Sequence, residues 1–172
     1  MLPIILQRRT CRKFDHEKAV EKEKIEEIVK AGLHAPSGMN RQLGEIFVIR
    51  DPKFRDEYAR LNAKVLGRED FDPFYGAPVI LLIASLESPF ADLDGGAMME
   101  NMLLEATNQG LSTCWIHRAK EELKLPETIE LFASKGIDIT AYEGVDQIAL
   151  GYGRGEAPKE KILREGRAHY ID

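Results

Sequence analysis

The chain has 172 residues, 44% of them apolar, and a formal net charge of −5. This is enough for one hydrophobic core and short for two. The acidic balance argues against general attraction to nucleic acid or to an anionic membrane, and no apolar run reaches membrane-spanning length. The first residues, Met1-Leu2-Pro3-Ile4-Ile5-Leu6, lack a preceding positive region and a small-residue cleavage site, so they do not read as a signal peptide. One domain spanning 1–172 in a soluble cytoplasmic protein is the expectation.

A short helical segment leads into Arg8-Arg9-Thr10-Cys11-Arg12-Lys13, a local basic patch on an acidic chain. Arg8 and Arg12 are four apart and would share a face if that helix continued. Residues 21–34 have the clearest helical period: Ile25, Ile28, Val29, Gly32 and Leu33 form one stripe, stopped by Ala35-Pro36-Ser37-Gly38. Residues 45–50 read as a strand, and Asp51-Pro52 as the start of a helix. Pro78 to Ala84 is a continuous apolar run whose branched residues predict a strand buried on both faces. A helix follows from Asp92 to Gln109, stopped by Gly110. Its stretch Ala97–Ala106 is apolar on more than one face, which requires either a thick core or a second subunit. Strands are predicted at 111–116 and 145–152, with helical character broken by Pro126 over 120–135. The tail from Gly153 has no period. Helices alternating with strands, without hairpin signals, predict an α/β or α+β domain.

Two clusters carry chemistry. Arg8, Arg9 and Arg12 offer planar forks that hold a phosphate bidentately, with the Thr10 hydroxyl beside them. In the loop Pro36-Ser37-Gly38-Met39-Asn40-Arg41-Gln42, each side-chain amide of Asn40 and Gln42 carries a donor and an acceptor, suited to the imide edge of a flat heterocycle. Backbone N–H groups near Gly38 could approach a ring nitrogen. A ligand anionic at one end and flat and polar at the other satisfies both clusters, and flavin mononucleotide (FMN) has that shape. Gly151-Tyr152-Gly153-Arg154-Gly155 looks like a phosphate loop but has no following helix or ribose-binding acid. His16, His34, His117 and His169 have no metal-ligand spacing. Cys11 and Cys114 could pair in principle, yet nothing supports a secreted disulfide scaffold. Among the tail cations, Lys159 and Lys161 could complete a phosphate site if the tail folds back.

Taken in order, Arg8-Arg9-Thr10-Cys11-Arg12-Lys13-Phe14, Ala35 through Gln42, Asp94-Gly95-Gly96-Ala97 through Ala106, Gly110 through Ile116, and Ile148-Ala149-Leu150-Gly151-Tyr152 resemble the nitroreductase family of FMN-dependent oxidoreductases nearly end to end. The resemblance implies an α+β fold of three α/β/α layers around a mixed, mainly antiparallel sheet. It implies an intertwined homodimer with FMN at the subunit interface, and a C-terminal tail (about 153–172) extending over the partner. It places Arg8, Arg9, Thr10 and Arg12 on the phosphate, ribityl chain and pyrimidine edge. Pro36, Ser37, Gly38, Met39, Asn40 and Gln42 would line the ring and its imide edge. Thr113, Cys114 and Trp115 would border the ring, and Gly151 with Lys159 or Lys161 would complete the phosphate end. NADH or NADPH would deliver hydride to the flavin, and a small acceptor such as a nitroaromatic or quinone would then take its place, with no dedicated protein acid or base. The same scaffold also suits reductive dehalogenation, flavin destruction, or a non-catalytic flavin-binding regulatory dimer. The chain departs from the family at Leu43-Gly44, where many relatives carry Pro-Trp, and in being short.

Overall fold

A computed structural model describes residues 1–155 and 161–171. Strands β1 (Gly44–Ile49), β2 (Val79–Leu86), β3 (Ser112–Ile116) and β4 (Tyr142–Gly151) form one sheet in the order β1-β2-β4-β3. All three pairings are antiparallel. The mixed character expected from the sequence enters through a single parallel bridge between Thr10 and Thr113.

The period of two along β2 creates the layers, because successive side chains leave opposite faces of a strand. Val79, Leu81 and Ile83 join a core with Ile25 and Ile28 of α2 (Lys22–Leu33) and with Met98, Met99, Met102 and Leu103 of α4 (Ala91–Asn108). Ile80, Leu82 and Ala84 enter a second core with Phe54 and Tyr58 of α3 (Pro52–Leu66) and with Phe132 of α6 (Pro126–Ala133). The fold is therefore α+β in three α/β/α layers, with β2 buried on both faces as its composition predicts. The helix α1 (Pro3–Gln7) lies outside these cores and buries none of its residues.

Local chemistry sets the element boundaries. Asp51 caps α3 by accepting from Phe54 N at 2.9 Å, Pro52 occupies the first turn, and Gly67 ends the helix at φ 72°. Helical character over 120–135 resolves into α5 (Ala119–Glu122) and α6, separated before Pro126. On α4, Met98, Met99, Met102, Leu103 and Ala106 are buried within the chain, while Leu93 is exposed. One apolar face of this helix thus belongs to the monomer core.

Gly144 marks the tightest approach between β4 and α5. A Cβ there would lie 2.2 Å from the Ala119 carbonyl oxygen, a backbone atom. Gly144→Ala is expected to cost about 2–3 kcal/mol through overpacking, read as a lower urea midpoint at unchanged slope. An unchanged midpoint would mean that α5 does not seat on β4.

Candidate functional site

The arginine cluster is positioned by backbone hydrogen bonds. α1 stops at Gln7 because Arg8 turns extended (ψ 127°) after its N–H caps the Ile4 carbonyl at 2.9 Å. The helix does not continue, so Arg8 and Arg12 do not share a helical face. The chain instead threads between two strand ends. Cys11 N donates to Thr113 O, Asp15 N to Tyr152 O and Arg154 N to Lys13 O, each at 2.8 Å. Three segments distant in sequence thereby meet: the arginine cluster, the Thr113-Cys114-Trp115 stretch of β3, and the end of β4.

The chemistry at this meeting point suits an anion. Arg8 and Arg12 form no ion pair among the described residues. Arg9 Nη1 donates to Arg8 O at 2.7 Å. Arg154, by contrast, is neutralised by Asp15 at 2.9 Å. Thr10 is exposed, whereas Thr113 is buried and its hydroxyl oxygen has no hydrogen-bond partner among the described residues. Burial pushes the Cys114 thiol pKa up, opposed by the Arg12 guanidinium nearby. Of the three β3 candidates only Trp115 is open to solvent, at 41% exposure, with its ring tilted against His117 at 5.9 Å.

The residues expected at the phosphate end have distinct surroundings within the chain. Gly151 is buried, and a Cβ there would lie 2.7 Å from Pro78 Cδ and 3.3 Å from Phe14, so its missing side chain serves packing. Lys161 is exposed and pairs with nothing among the described residues, and Lys159 lies outside them.

The loop cluster is strained and well anchored. Met39, Asn40 and Gln42 sit at φ 53°, 55° and 52°, the left-handed region that costs residues with a side chain about 1–3 kcal/mol each. The anchors that hold this conformation are explicit. Gly38 N donates to Asp94 Oδ1 at 2.9 Å, Gln42 N donates to Ser37 Oγ at 3.0 Å, and Gln42 Nε2 donates to Asn40 Oδ1 at 2.9 Å. The Phe90 ring covers Gly38 so closely that a Cβ would meet it at 2.6 Å. Strain held by several anchors is a mark of binding loops. The bond between the two amides leaves the Asn40 Nδ2 amino group and the Gln42 Oε1 oxygen without a partner among the described residues, and an imide edge takes a donor and an acceptor of this kind. Pro36 and Met39 are exposed alongside. Gly44 after the loop is explained by α4, since a Cβ there would lie 2.6 Å from Met98 Sδ.

Within one chain the two clusters are far apart. The loop is tied to Asp94 in the first turn of α4, and β3 is entered from its last turn, where Leu111 N donates to Ala106 O at 2.8 Å. These anchors are about 18 Å apart along the helix. β1 and β3 are also opposite edges of the sheet, about 14 Å apart. A concavity of about 490 Å³ lined by His16, Arg50, Arg55 and Pro78 contains no residue of either cluster. Each cluster thus stands at its own end of α4.

Sequence reasoning missed the residues just past Trp115. His117 Nδ1 lies 2.9 Å from Asp146 Oδ1, and Arg118 adopts φ 82° with its Nε donating to Asn62 Oδ1 at 2.9 Å. His117 was set aside for want of metal-ligand spacing, and no sequence signal marks a left-handed arginine.

The comparisons with known proteins agree with this fold. Nitroreductase from Bacteroides fragilis, solved with bound FMN, superposes with a TM-score of 0.89 at 25% identity, covering 99% of this chain and 98% of that one. A candidate NADH oxidase from Clostridium acetobutylicum matches with a TM-score of 0.75 at 26% identity, over 96% of this chain and 97% of that one. A nitroreductase with bound FMN from Desulfitobacterium hafniense shares the fold, with a TM-score of 0.77 at 24% identity over 99% and 97%. No curated protein matches the chain. The model of the nitroreductase family matches residues 5–152, which hold all four strands and both clusters, and the chain belongs to that family.

Proposed function

We propose that this protein is an FMN-dependent oxidoreductase that works as a homodimer, each flavin held between the arginine cluster of one copy and the loop of the other. The observation that carries this reading is the pair of complementary clusters at opposite ends of α4. One is cationic, with Arg8 and Arg12 in no ion pair among the described residues, and the other holds an amide donor and acceptor without partners among them. The residues present fit the group: guanidinium forks for a phosphate, the exposed Thr10 hydroxyl for a polyol chain, and the Asn40–Gln42 amides for an imide. Symmetric pairing of two copies brings each cluster against its complement twice.

Apolar surface supports the same assembly. Leu2 before α1, Ile5 and Leu6 of α1, Leu93 of α4, and Trp115 are exposed, as are Ile162, Leu163, Tyr170 and Ile171 of the tail. Apolar side chains in this number favour covering by a partner, and the tail would find its packing on the second copy. When bound, FMN supplies the redox chemistry, taking hydride from NADH or NADPH and passing electrons to a small acceptor such as a nitroaromatic or quinone. The chain's own residues bind and orient it. Arg12 would add positive charge beside the bound group, and Trp115 would give the site an apolar wall.

The visible spectrum of the purified protein, before and after anaerobic addition of NADH or NADPH, tests the proposal. A yellow protein bleached by either nicotinamide is the expected result. A colourless preparation that takes up no added FMN would overturn it, and a yellow protein that neither donor bleaches would reduce it to flavin binding alone.

A further inference from the structure

We propose that Cys11 and Cys114 form a reversible intrachain disulfide that fastens the arginine segment to β3. Their separation in sequence conceals their position in the fold. The parallel bridge joins Thr10 to Thr113, and Cys11 N donates to Thr113 O at 2.8 Å, so the next residue pair in register is Cys11 and Cys114. Paired strands run about 4.8 Å apart, within the Cα separation that a disulfide spans. Both side chains leave the same face, since Cys114 is part of the core beneath α3 and α6 and Cys11 packs against that core.

The two thiols differ in a way that suits stepwise exchange. Both are free: Cys11 Sγ lies 3.2 Å from Lys13 O and Cys114 Sγ 3.7 Å from Trp115 O. Cys11 is partly exposed and accessible to a small reagent, while Cys114 is buried behind it. Cys11 as thiolate attacks a low-molecular-weight disulfide, forming a mixed disulfide and expelling one small thiolate. Cys114 as thiolate then attacks the Cys11 sulfur, forming the protein disulfide and expelling the second. Two protein thiols are oxidised, the small disulfide is reduced to two thiols, and the protons lost by the cysteines go to those products. The Arg12 guanidinium favours the Cys114 thiolate for the second step, against the effect of burial. The bond would secure Arg8–Arg12 to the strand carrying Trp115, and its formation does not depend on what the site binds.

The test is incubation of the full-length protein with oxidised glutathione, followed by intact mass, thiol counting under denaturing conditions and non-reducing peptide mapping. The expected product is a monomeric chain lighter by two hydrogens, without titratable thiols, with the Cys11 and Cys114 peptides joined and restored by dithiothreitol. Closing a loop of about 100 residues is expected to raise the thermal midpoint by about 10 °C. That rise should vanish in Cys11→Ser and in Cys114→Ala. Any of three results would overturn the proposal: both thiols still free, a mixed disulfide stalled on Cys11, or a disulfide between chains. Because the wild-type mass and peptide map decide the matter, a poorly folding Cys114 variant leaves the test intact.

Discussion

Glu122→Gln is expected to stabilise the protein, by an amount that grows as pH rises from about 4.5 to about 8 and is constant beyond. Glu122 sits on α5 beneath the sheet and is fully buried. Asn62 Nδ2 and Gln147 Nε2 both donate to its Oε2, at 2.6 and 2.9 Å. Tyr58 lies beside it, and the cation of Arg118 is near. These partners favour the ionised form, but burial outweighs them and pushes the carboxyl up to about 8 from an ordinary 4.5. The sign follows from proton uptake. Between the two values the unfolded chain has released the proton and the folded chain keeps it, so wild-type stability falls as pH rises through this window. The full penalty at alkaline pH is at most about 5 kcal/mol, at 1.36 kcal/mol per pH unit. Glutamine keeps the shape and an acceptor for Asn62 and Gln147 without a group that must stay protonated. Denaturation of both proteins at pH 4.5 and at pH 8.5 checks this. Equal differences at the two pH values would show that Glu122 does not titrate differently in the folded and unfolded chains.

Buried carboxyls of this kind also indicate where sequence reading stops. The stripe Ile25, Ile28, Val29, Gly32 and the run Val79–Ala84 were legible because packing imposes periods of 3.6 and 2 on apolar residues, and α2 and β2 lie where those periods place them, although Leu33 at the end of the stripe is exposed. Glu122, in contrast, stands in Lys120-Glu121-Glu122 and reads as surface charge, since nothing local reveals which carboxyl turns under the sheet. Gly151 and Gly153 look like phosphate-loop residues, yet each lies against a distant neighbour, Pro78 and Ser112. The two clusters could be picked out because guanidinium and amide chemistry is written in residue type. The left-handed backbone of Met39, Asn40 and Gln42 was not, because it is imposed by Asp94 and Phe90 from α4 and its approach. The register that aligns Cys11 with Cys114 was hidden for a related reason: it arises where an irregular segment borders a strand, and no period marks it.

Mixing two broken proteins is expected to restore a working flavin site. A double variant Arg8→Ala with Arg12→Ala loses cations of one cluster, and Asn40→Ala with Gln42→Ala loses the amide donor and acceptor of the other. Hydrogen bonds to a charged group contribute about 1.5–3 kcal/mol each, so the arginine pair should lower FMN affinity by at least about 100-fold. The amide pair should cost less, about 10-fold or more, because its contacts are neutral. If each site draws one half from each copy, every site in either variant homodimer is damaged. A mixed dimer holds one site with both defects and one with neither. Random exchange of equal amounts should therefore return about one quarter of the wild-type high-affinity sites. FMN titration by fluorescence quenching, before and after mixing under exchange conditions, measures that fraction. No recovery, with subunit exchange verified by mass, would mean that both clusters of one chain serve the same ligand. The separation of about 18 Å along α4 predicts the opposite.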